Sequence, residues 1–287
     1  EALWALNLSG GFTESLASEF LDHPDEYVRL WTIRLLGDSG NVSSELAAKL
    51  TDLAAQEPSA EVRSQLACSA RRLPAQPCVA IIRQLLTHSE DANDRHIPLL
   101  LWWAIESKAG ENADAVLAMI DDQAFWNLEL VEEHLLDKII RRYALAGSRS
   151  DLLACAKLLS LAEKPEHQKI LIDGFEAAYA GRSLSNLPDE LIAAIRAVGG
   201  GSVMLQVRQG KSEAIQTALD TISNSSAGSE ERLQFVRVFG EIVAPQAVPV
   251  LLEIVGSDAD ESLRSAALLS LQSSGDAAGD RAAQFVP

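Results

Sequence analysis

A unit of 34 or 35 residues recurs along the chain, and this spacing limits the possible folds more than any other feature. One copy reads Pro24-Asp25-Glu26-Tyr27-Val28-Arg29, and the next reads Pro58-Ser59-Ala60-Glu61-Val62-Arg63, so the arginine returns after 34 residues. A looser copy begins at Asp94 and a further one at Asp258. Each copy has a turn with Asp or Pro, followed by apolar residues at helical spacing. A fixed period of this length indicates stacked supersecondary units.

Each copy predicts the second helix of a helical hairpin, and another apolar helix precedes each turn. Asp and Ser in the turn accept hydrogen bonds from unpaired N–H groups at a helix start, and Pro fits the first turn. One hairpin cannot bury its apolar face alone, whereas stacked hairpins share a continuous core. The second helices are predicted near residues 27–36, 60–72, 94–109, 126–146, 166–180, 202–209, 229–243 and 261–272. The clearest first helices are predicted at Thr13–Leu21, Ser43–Ala54, Cys78–Leu86 and Pro245–Val255.

The pattern therefore predicts an all-α fold: an α-solenoid, or α-α superhelix, of about eight antiparallel helix pairs without a sheet. We expect a single array over residues 1–287. Both ends resemble severed units, because Glu1–Leu8 matches the last turns of a second helix and Asp280–Val286 matches the start of a first helix. We therefore expect a fragment of a longer array. Arg29, Arg63 and Arg264 are expected to brace neighbouring units and to take no part in chemistry.

Charge and composition exclude several classes of function. The chain has 24 Lys and Arg against 41 Asp and Glu, a net charge of −17, which opposes binding to nucleic acid and to anionic membrane surfaces. The hydrophobic fraction of 47% is enough to bury a core, so disorder is not expected. No apolar stretch is long enough to cross a bilayer, and we expect no direct membrane insertion.

Motifs for metals and cofactors are missing from the sequence. Cys68, Cys78 and Cys155 form neither a CxxC nor a CxxCH, so zinc and haem-attachment spacings are excluded and buried free thiols are expected. The five histidines show no metal-binding spacing. The sequence predicts no catalytic, cofactor-binding or metal-binding residue in this chain, and no cofactor.

Two glycine-containing segments have alternative interpretations. Gln209-Gly210-Lys211-Ser212 contains GKS, but a phosphate loop needs a further glycine where Leu205 stands, so a loop entering a helix at Ser212 is predicted. Gly199-Gly200-Gly201-Ser202 could form an anion-binding nest before a helix or, more often for such a run, a helix C-cap followed by a turn.

The repeats resemble HEAT repeats, through the Asp-x-x-Val-Arg and apolar pattern. The middle of the chain resembles one group more closely, through Arg95–Glu106 with Pro98 in a first helical turn, Val116-Leu117, Trp126, Arg141-Arg142-Tyr143 and Asp151–Ala156. This group is the HEAT-repeat region of large proteins from planctomycete-type bacteria, labelled membrane-bound dehydrogenases. There the array lies between a sugar-dehydrogenase-like β-propeller and a cytochrome c module. The resemblance implies an exported, periplasmic or membrane-associated redox protein, of which this chain is the scaffold only.

Two doublets are candidates for protein binding. Trp102 and Trp103 are adjacent in a predicted second helix and point about 100° apart, so one of them could anchor a partner on the concave side; alternatively, both are buried between repeats. Arg141 and Arg142 could hold an acidic partner, or they could be a solvated helix end that suits the helix dipole.

The leading hypothesis for function is a non-catalytic scaffold or protein-interaction module of a larger dehydrogenase, with neighbouring modules as its partners. A free-standing protein-binding adaptor is the alternative. An enzyme on a HEAT scaffold, glycosylase-like or lyase-like, is a third hypothesis, against which the charge of −17 argues because a glycosylase needs a basic groove.

Overall fold

The computed structural model describes residues 2–180, 184 and 187–272, and the regular structure within these ranges is helical without a strand. Glu1 and the predicted helix start at Asp280–Val286 lie outside the described residues. In chain order, the helices are α1 (Ala2–Leu8), α2 (Glu14–Leu21), α3 (Glu26–Asp38), α4 (Ser44–Gln56), α5 (Ala60–Ala70), α6 (Ala75–Leu85), α7 (Ile97–Ala109), α8 (Ala113–Met119), α9 (Glu129–His134), α10 (Leu136–Ala146), α11 (Arg149–Leu161), α12 (Pro165–Ala178), α13 (Asp189–Ala197), α14 (Val203–Arg208), α15 (Ser212–Ser223), α16 (Ser229–Phe239), α17 (Val248–Ser257) and α18 (Glu261–Leu271). Short 3-10 turns occupy Ser89–Asp91, Gln123–Asn127 and Pro245–Ala247.

The chain forms two compact units, residues 1–174 and 175–287. In the first unit, α2, α4, α6 and α8 pack in one row, and α1, α3, α5, α7 and α10 pack in a second row. In the second unit, α15 packs on α17, while α14, α16 and α18 form the other row. From α2 to α18 the described helices make eight consecutive pairs, with α9 and α10 together as one second helix. This arrangement confirms the predicted α-solenoid, and α1 precedes the first pair.

The acidic residue of the repeat starts the second helix of its unit. The Asp25 carboxylate accepts hydrogen bonds from the backbone N–H groups of Tyr27, at 2.8 Å, and Val28, at 3.3 Å. Asp260 does the same at the start of α18. Asp94 accepts from Ile97 and His96, and these backbone hydrogen bonds lower the pKa of its carboxyl group. The periodic signal in the sequence is therefore largely a capping signal.

Small residues let neighbouring second helices approach closely. Gly37 in α3 faces Ser69 in α5, and Gly240 after α16 faces Ser270 in α18, so the same contact recurs in both units. The Ser270 hydroxyl also donates to the Val236 carbonyl at 2.7 Å. A chain with few aromatic residues builds its core through such contacts and through buried Leu, Ile and Ala side chains.

The prediction of one helix over residues 126–146 was wrong in two respects. Trp126 lies in a 3-10 turn, where its indole N–H donates to the Ile120 carbonyl at 2.7 Å, and α9 starts only at Glu129. The helix is also interrupted at Leu135. At this break, the Lys138 ammonium donates to the His134 carbonyl at 2.9 Å, so a side chain satisfies a carbonyl next to the interruption.

Candidate protein-binding surface

The repeated arginines form a ladder between successive units. Arg29 bonds both carboxylate oxygens of Glu57, at 2.8 and 2.5 Å, and Arg63 bonds both oxygens of Asp91, at 2.6 and 2.5 Å. Each arginine also donates to a carbonyl six residues earlier: Arg29 to His23 and Arg63 to Glu57, both at 2.9 Å. One guanidinium thus joins the turn of its own unit to the turn of the next unit.

The second unit repeats this theme around Asp258. Arg264 donates to the Asp258 carbonyl at 2.7 Å, again six residues earlier, and Arg232 pairs with the Asp258 carboxylate at 2.5 Å. The geometry confirms the bracing role predicted for Arg29 and Arg63. The described hydrogen bond of Arg264 stays within its own turn, and Arg232 makes the link between units at Asp258. Because these guanidinium groups are committed to internal partners, the ladder belongs to the scaffold rather than to a binding site.

The two glycine-containing segments also have internal roles. Gly199, Gly200 and Gly201 all have positive φ, and the Gly200 N–H donates to the Ile195 carbonyl at 2.8 Å, as in a helix C-cap. At the start of the following helix, α14, a side chain of the protein supplies the negative charge. The Glu176 carboxylate accepts hydrogen bonds from the Ser202 N–H at 2.8 Å and from the Ser202 hydroxyl at 2.6 Å. The segment around Lys211 is a loop that leads into α15 at Ser212, as predicted.

The cysteines and histidines divide between core and surface. Cys78 and Cys155 are buried free thiols, as predicted, whereas Cys68 is only half-buried. Partial burial nevertheless raises the pKa of the Cys68 thiol, although Arg34 and Arg71 oppose this shift.

His167 is 2% exposed, and neither of its ring nitrogens has a hydrogen-bond partner. Within the described ranges, no three His, Cys, Asp or Glu residues are placed to hold a metal ion.

The two adjacent tryptophans have different environments. The Trp103 side chain is 43% exposed. Trp102 is half-buried and lines a small cleft in the first unit. The other residues of that cleft are Leu86, Pro98, Leu101, Ile105, Leu130, His134 and Leu135. Of the predicted pair, Trp103 alone presents a large face to solvent, while Trp102 packs against neighbouring helices.

Residues around Trp103 form a surface that we call the second-helix stripe. Positions four residues apart lie on one face of a helix, and the 34- to 35-residue period places corresponding faces of α3, α5, α7 and α10 side by side. The Arg72–Asp38 ion pair supports this register between α5 and α3. The stripe consists of Leu30, Arg34 and Asp38; Ser64, Cys68 and Arg72; Leu99, Trp103 and Ser107; and Lys138 and Arg142.

The stripe is cationic although the chain is acidic. It carries four Lys or Arg residues and one carboxylate, Asp38, which both Arg34 and Arg72 contact. Lys138 is partly buried, which lowers its pKa, and the Arg142 guanidinium approaches Gly110 at the end of α7. Arg141 lies beside the stripe, exposed and 3.6 Å from the Asp137 carboxylate.

Two segments that include helices of the opposite row are rich in carboxylates. Residues 10–25 and 110–127, which include α2 and α8, each contain four carboxylates and no Lys or Arg. A cleft of about 810 Å³ beside α2 and α4 is lined by Asp22, Glu45, Asp52 and Glu57. Two of these acids already have cationic partners, since Lys49 pairs with Asp22 at 2.6 Å and Arg29 with Glu57.

Sequence reasoning named Trp102, Trp103, Arg141 and Arg142 but missed Arg34, Arg72 and Lys138. Their signal was present in the sequence. Arg34, Cys68, Trp103 and Lys138 follow one another at intervals of 34, 35 and 35 residues. This row is visible when the positions outside the core, in addition to the core positions, are aligned by the repeat period.

Comparisons with known proteins add nothing to the fold described above. No family model matches the sequence, and no curated protein matches it. A crystal structure of an engineered protein from the Northeast Structural Genomics Consortium aligns over 99% of this chain and 74% of its own, with 18% identity and a TM-score of 0.37. Among the described residues, no helix has the length and apolar character needed to span a membrane.

Proposed function

We propose that this chain is a non-catalytic scaffold that binds another protein on its second-helix stripe. The observation that carries the proposal is the exposure of Trp103. This large aromatic side chain is 43% exposed, whereas the side chain of its neighbour Trp102 is half-buried and packs against other helices. Tryptophan is enriched among the residues that dominate binding energy at protein interfaces. Stacked helical repeats also present extended surfaces of this kind to partners.

The resemblance to the HEAT-repeat region of planctomycete-type dehydrogenases suggests which partners to try first. In those proteins the array is flanked by a sugar-dehydrogenase-like β-propeller and a cytochrome c module. We therefore propose that the array positions neighbouring modules of a larger exported redox protein. On this proposal, catalysis belongs to the modules, and the array contributes rigid spacing and a docking face.

The test compares two tryptophan variants with one control. Trp103→Ala, Trp102→Ala and the control Leu269→Ala, which removes a side chain 64% exposed on α18, would be made separately. Binding of each to the purified propeller and cytochrome modules would be measured by calorimetry, together with melting temperature. We expect Trp103→Ala to weaken binding about 30-fold or more, since a good anchor contributes about 2 kcal/mol. Its melting temperature should stay close to that of the parent chain.

Trp102→Ala should instead lower the melting temperature, because Trp102 lines an interhelical cleft. Leu269→Ala should change neither quantity. The proposal fails if Trp103→Ala binds as tightly as the parent chain, or if it loses binding only in proportion to lost stability.

A further inference from the structure

We propose that the second-helix stripe recognises an acidic segment of its partner: an extended peptide with an apolar side chain on Trp103 and carboxylates on either side. This inference rests on the proposed function and names the chemistry of the partner at the same surface. It is based on the sign of the charges on the stripe and on the order in which apolar and charged side chains follow one another along it.

The charge of the stripe runs against that of the molecule. A chain with a net charge of −17 carries a face with four cationic side chains and one carboxylate. The segments 10–25 and 110–127 instead hold four carboxylates each, of which Asp22, Asp121 and Asp122 have cationic partners. We therefore expect an acidic partner to prefer the second-helix stripe to these carboxylate-rich segments. Charge complementarity of this kind selects the orientation of a partner and suppresses docking on the wrong face.

The order of the groups places an apolar centre between two cationic ends. On α7, Leu99 and Trp103 lie one turn apart and are 42% and 43% exposed. On one side of them, Arg34 and Arg72 share Asp38, which leaves an excess of one positive charge. On the other side lie Lys138 and Arg142 on α10. A ligand that matches this surface has an apolar residue in the middle and acidic residues towards both ends.

The spacing of packed helices sets the spacing of those ligand residues. Neighbouring helix axes lie about 8–10 Å apart, so the cations of α5 and α10 flank the α7 anchor at about that distance. An extended chain advances about 3.3–3.6 Å per residue. The carboxylates should therefore lie about three residues before and three residues after the apolar residue.

A peptide fits this face better than a nucleic acid does. Arg34 and Arg72 already contact Asp38, so the free positive charge is modest. A nucleic acid would bring a phosphate at every nucleotide towards a molecule with a net charge of −17, and its affinity depends on many phosphate contacts. A peptide with a few carboxylates matches the few cations that are present.

A random 12-residue peptide library displayed on phage supplies the test. The library would be selected on the parent chain, and enriched peptides would be synthesised and measured by fluorescence polarisation. Variants would be Trp103→Ala, Arg142→Glu and a matched charge reversal, Lys157→Glu, on the first helix α11, where Lys157 pairs with Asp121 at 3.3 Å. A single-stranded oligothymidine would be measured in parallel, and circular dichroism would verify that each variant is folded.

We expect the enriched peptides to share an apolar residue with Asp or Glu about three positions away on each side. Their affinity should fall about 30-fold or more in Trp103→Ala. Arg142→Glu should weaken peptide binding about two- to fivefold, as expected for loss of an exposed ion pair. Lys157→Glu should leave the affinity unchanged.

The other outcomes separate the two proposals. If the peptides depend on Trp103 but are neutral or basic, or bind Arg142→Glu equally well, the acidic-segment inference is wrong while the docking surface stands. If no enriched peptide depends on Trp103, both are contradicted. Tighter binding of oligothymidine than of any peptide, lost in Arg142→Glu, would show that the face serves nucleic acid and would overturn the inference.

Discussion

Arg63 shows how a charged side chain can hold two repeat units together. Its side chain is 3% exposed and that of Asp91 is 4% exposed, and three hydrogen bonds fix the guanidinium between the two turns. Removing one member of a buried ion pair leaves the other charge unpaired, which costs about 3–5 kcal/mol. We therefore predict that Arg63→Ala lowers the free energy of unfolding by about that amount, as measured by urea denaturation.

Arg71→Ala is the matched control for this prediction, because Arg71 is an exposed arginine at the end of the same helix. Its removal should change the unfolding free energy by less than about 0.5 kcal/mol. The ladder would lose its structural role if the two variants proved equally stable.

His167 presents the opposite case, a buried polar side chain without partners. Its ring lies 5.6 Å from that of Trp126, and neither nitrogen is hydrogen-bonded. A buried polar group without a partner carries a desolvation cost of about 1–3 kcal/mol, which an apolar side chain of similar volume avoids. We predict that His167→Leu is at least as stable as the parent chain in thermal unfolding.

His134→Leu should behave differently, because the His134 Nε2 atom is 2.9 Å from the Ala92 carbonyl oxygen. Losing this contact leaves the carbonyl without that partner, so the variant should melt at a lower temperature. A clear loss of stability in His167→Leu, equal to that in His134→Leu, would mean that the His167 ring is satisfied in solution.

At the level of elements, contacts between second helices depend on paired small residues. A methyl group added at Gly37 would lie 2.6 Å from the Ser69 Cβ atom and 2.7 Å from its hydroxyl oxygen. We predict that Gly37→Ala costs about 1–3 kcal/mol, as overpacking commonly does. Combining it with Ser69→Gly removes both close atoms and should recover most of that loss in a double-mutant cycle. Additive effects of the two substitutions would place the strain elsewhere.

The helices were predictable because their signals are local and periodic. Asp25, Asp94 and Asp260 each cap a helix start, and each stands at the repeat turn that the sequence displays. The interruption at Leu135 was not predictable, since no Pro or Gly marks it and Leu suits a helix interior. The same limit applies to the 3-10 turn at Trp126, which is held by a hydrogen bond to the Ile120 carbonyl.

The candidate surface was predictable only in part, for a geometric reason. Adjacent tryptophans in a helix point in different directions, and from the sequence either one of them is exposed or both are buried between repeats. Which of the two faces solvent depends on the packing of Trp102 against Leu86, Leu130 and Leu135, residues distant in sequence. The cations of the stripe became visible only once α3, α5, α7 and α10 were seen side by side.

At the scale of the whole molecule, the described structure separates two kinds of surface. In the first unit, the two carboxylate-rich segments 10–25 and 110–127 include first helices α2 and α8, and the row of second helices carries the exposed Trp103 within a cationic stripe. This segregation makes the second helices the working face of the proposed scaffold. It also implies that salt should weaken binding of an acidic partner, since exposed charge pairs are screened.

The central claim is that partners dock on the second helices, and amide hydrogen exchange of the complex tests it most directly. Deuterium uptake would be followed by mass spectrometry for the chain alone and with a bound partner module or a selected peptide at saturation. Our account predicts added protection in α3, α5, α7 and α10, centred on the segment that contains Trp103. Protection confined to α2, α4, α6 and α8, with the second helices unchanged, would contradict it.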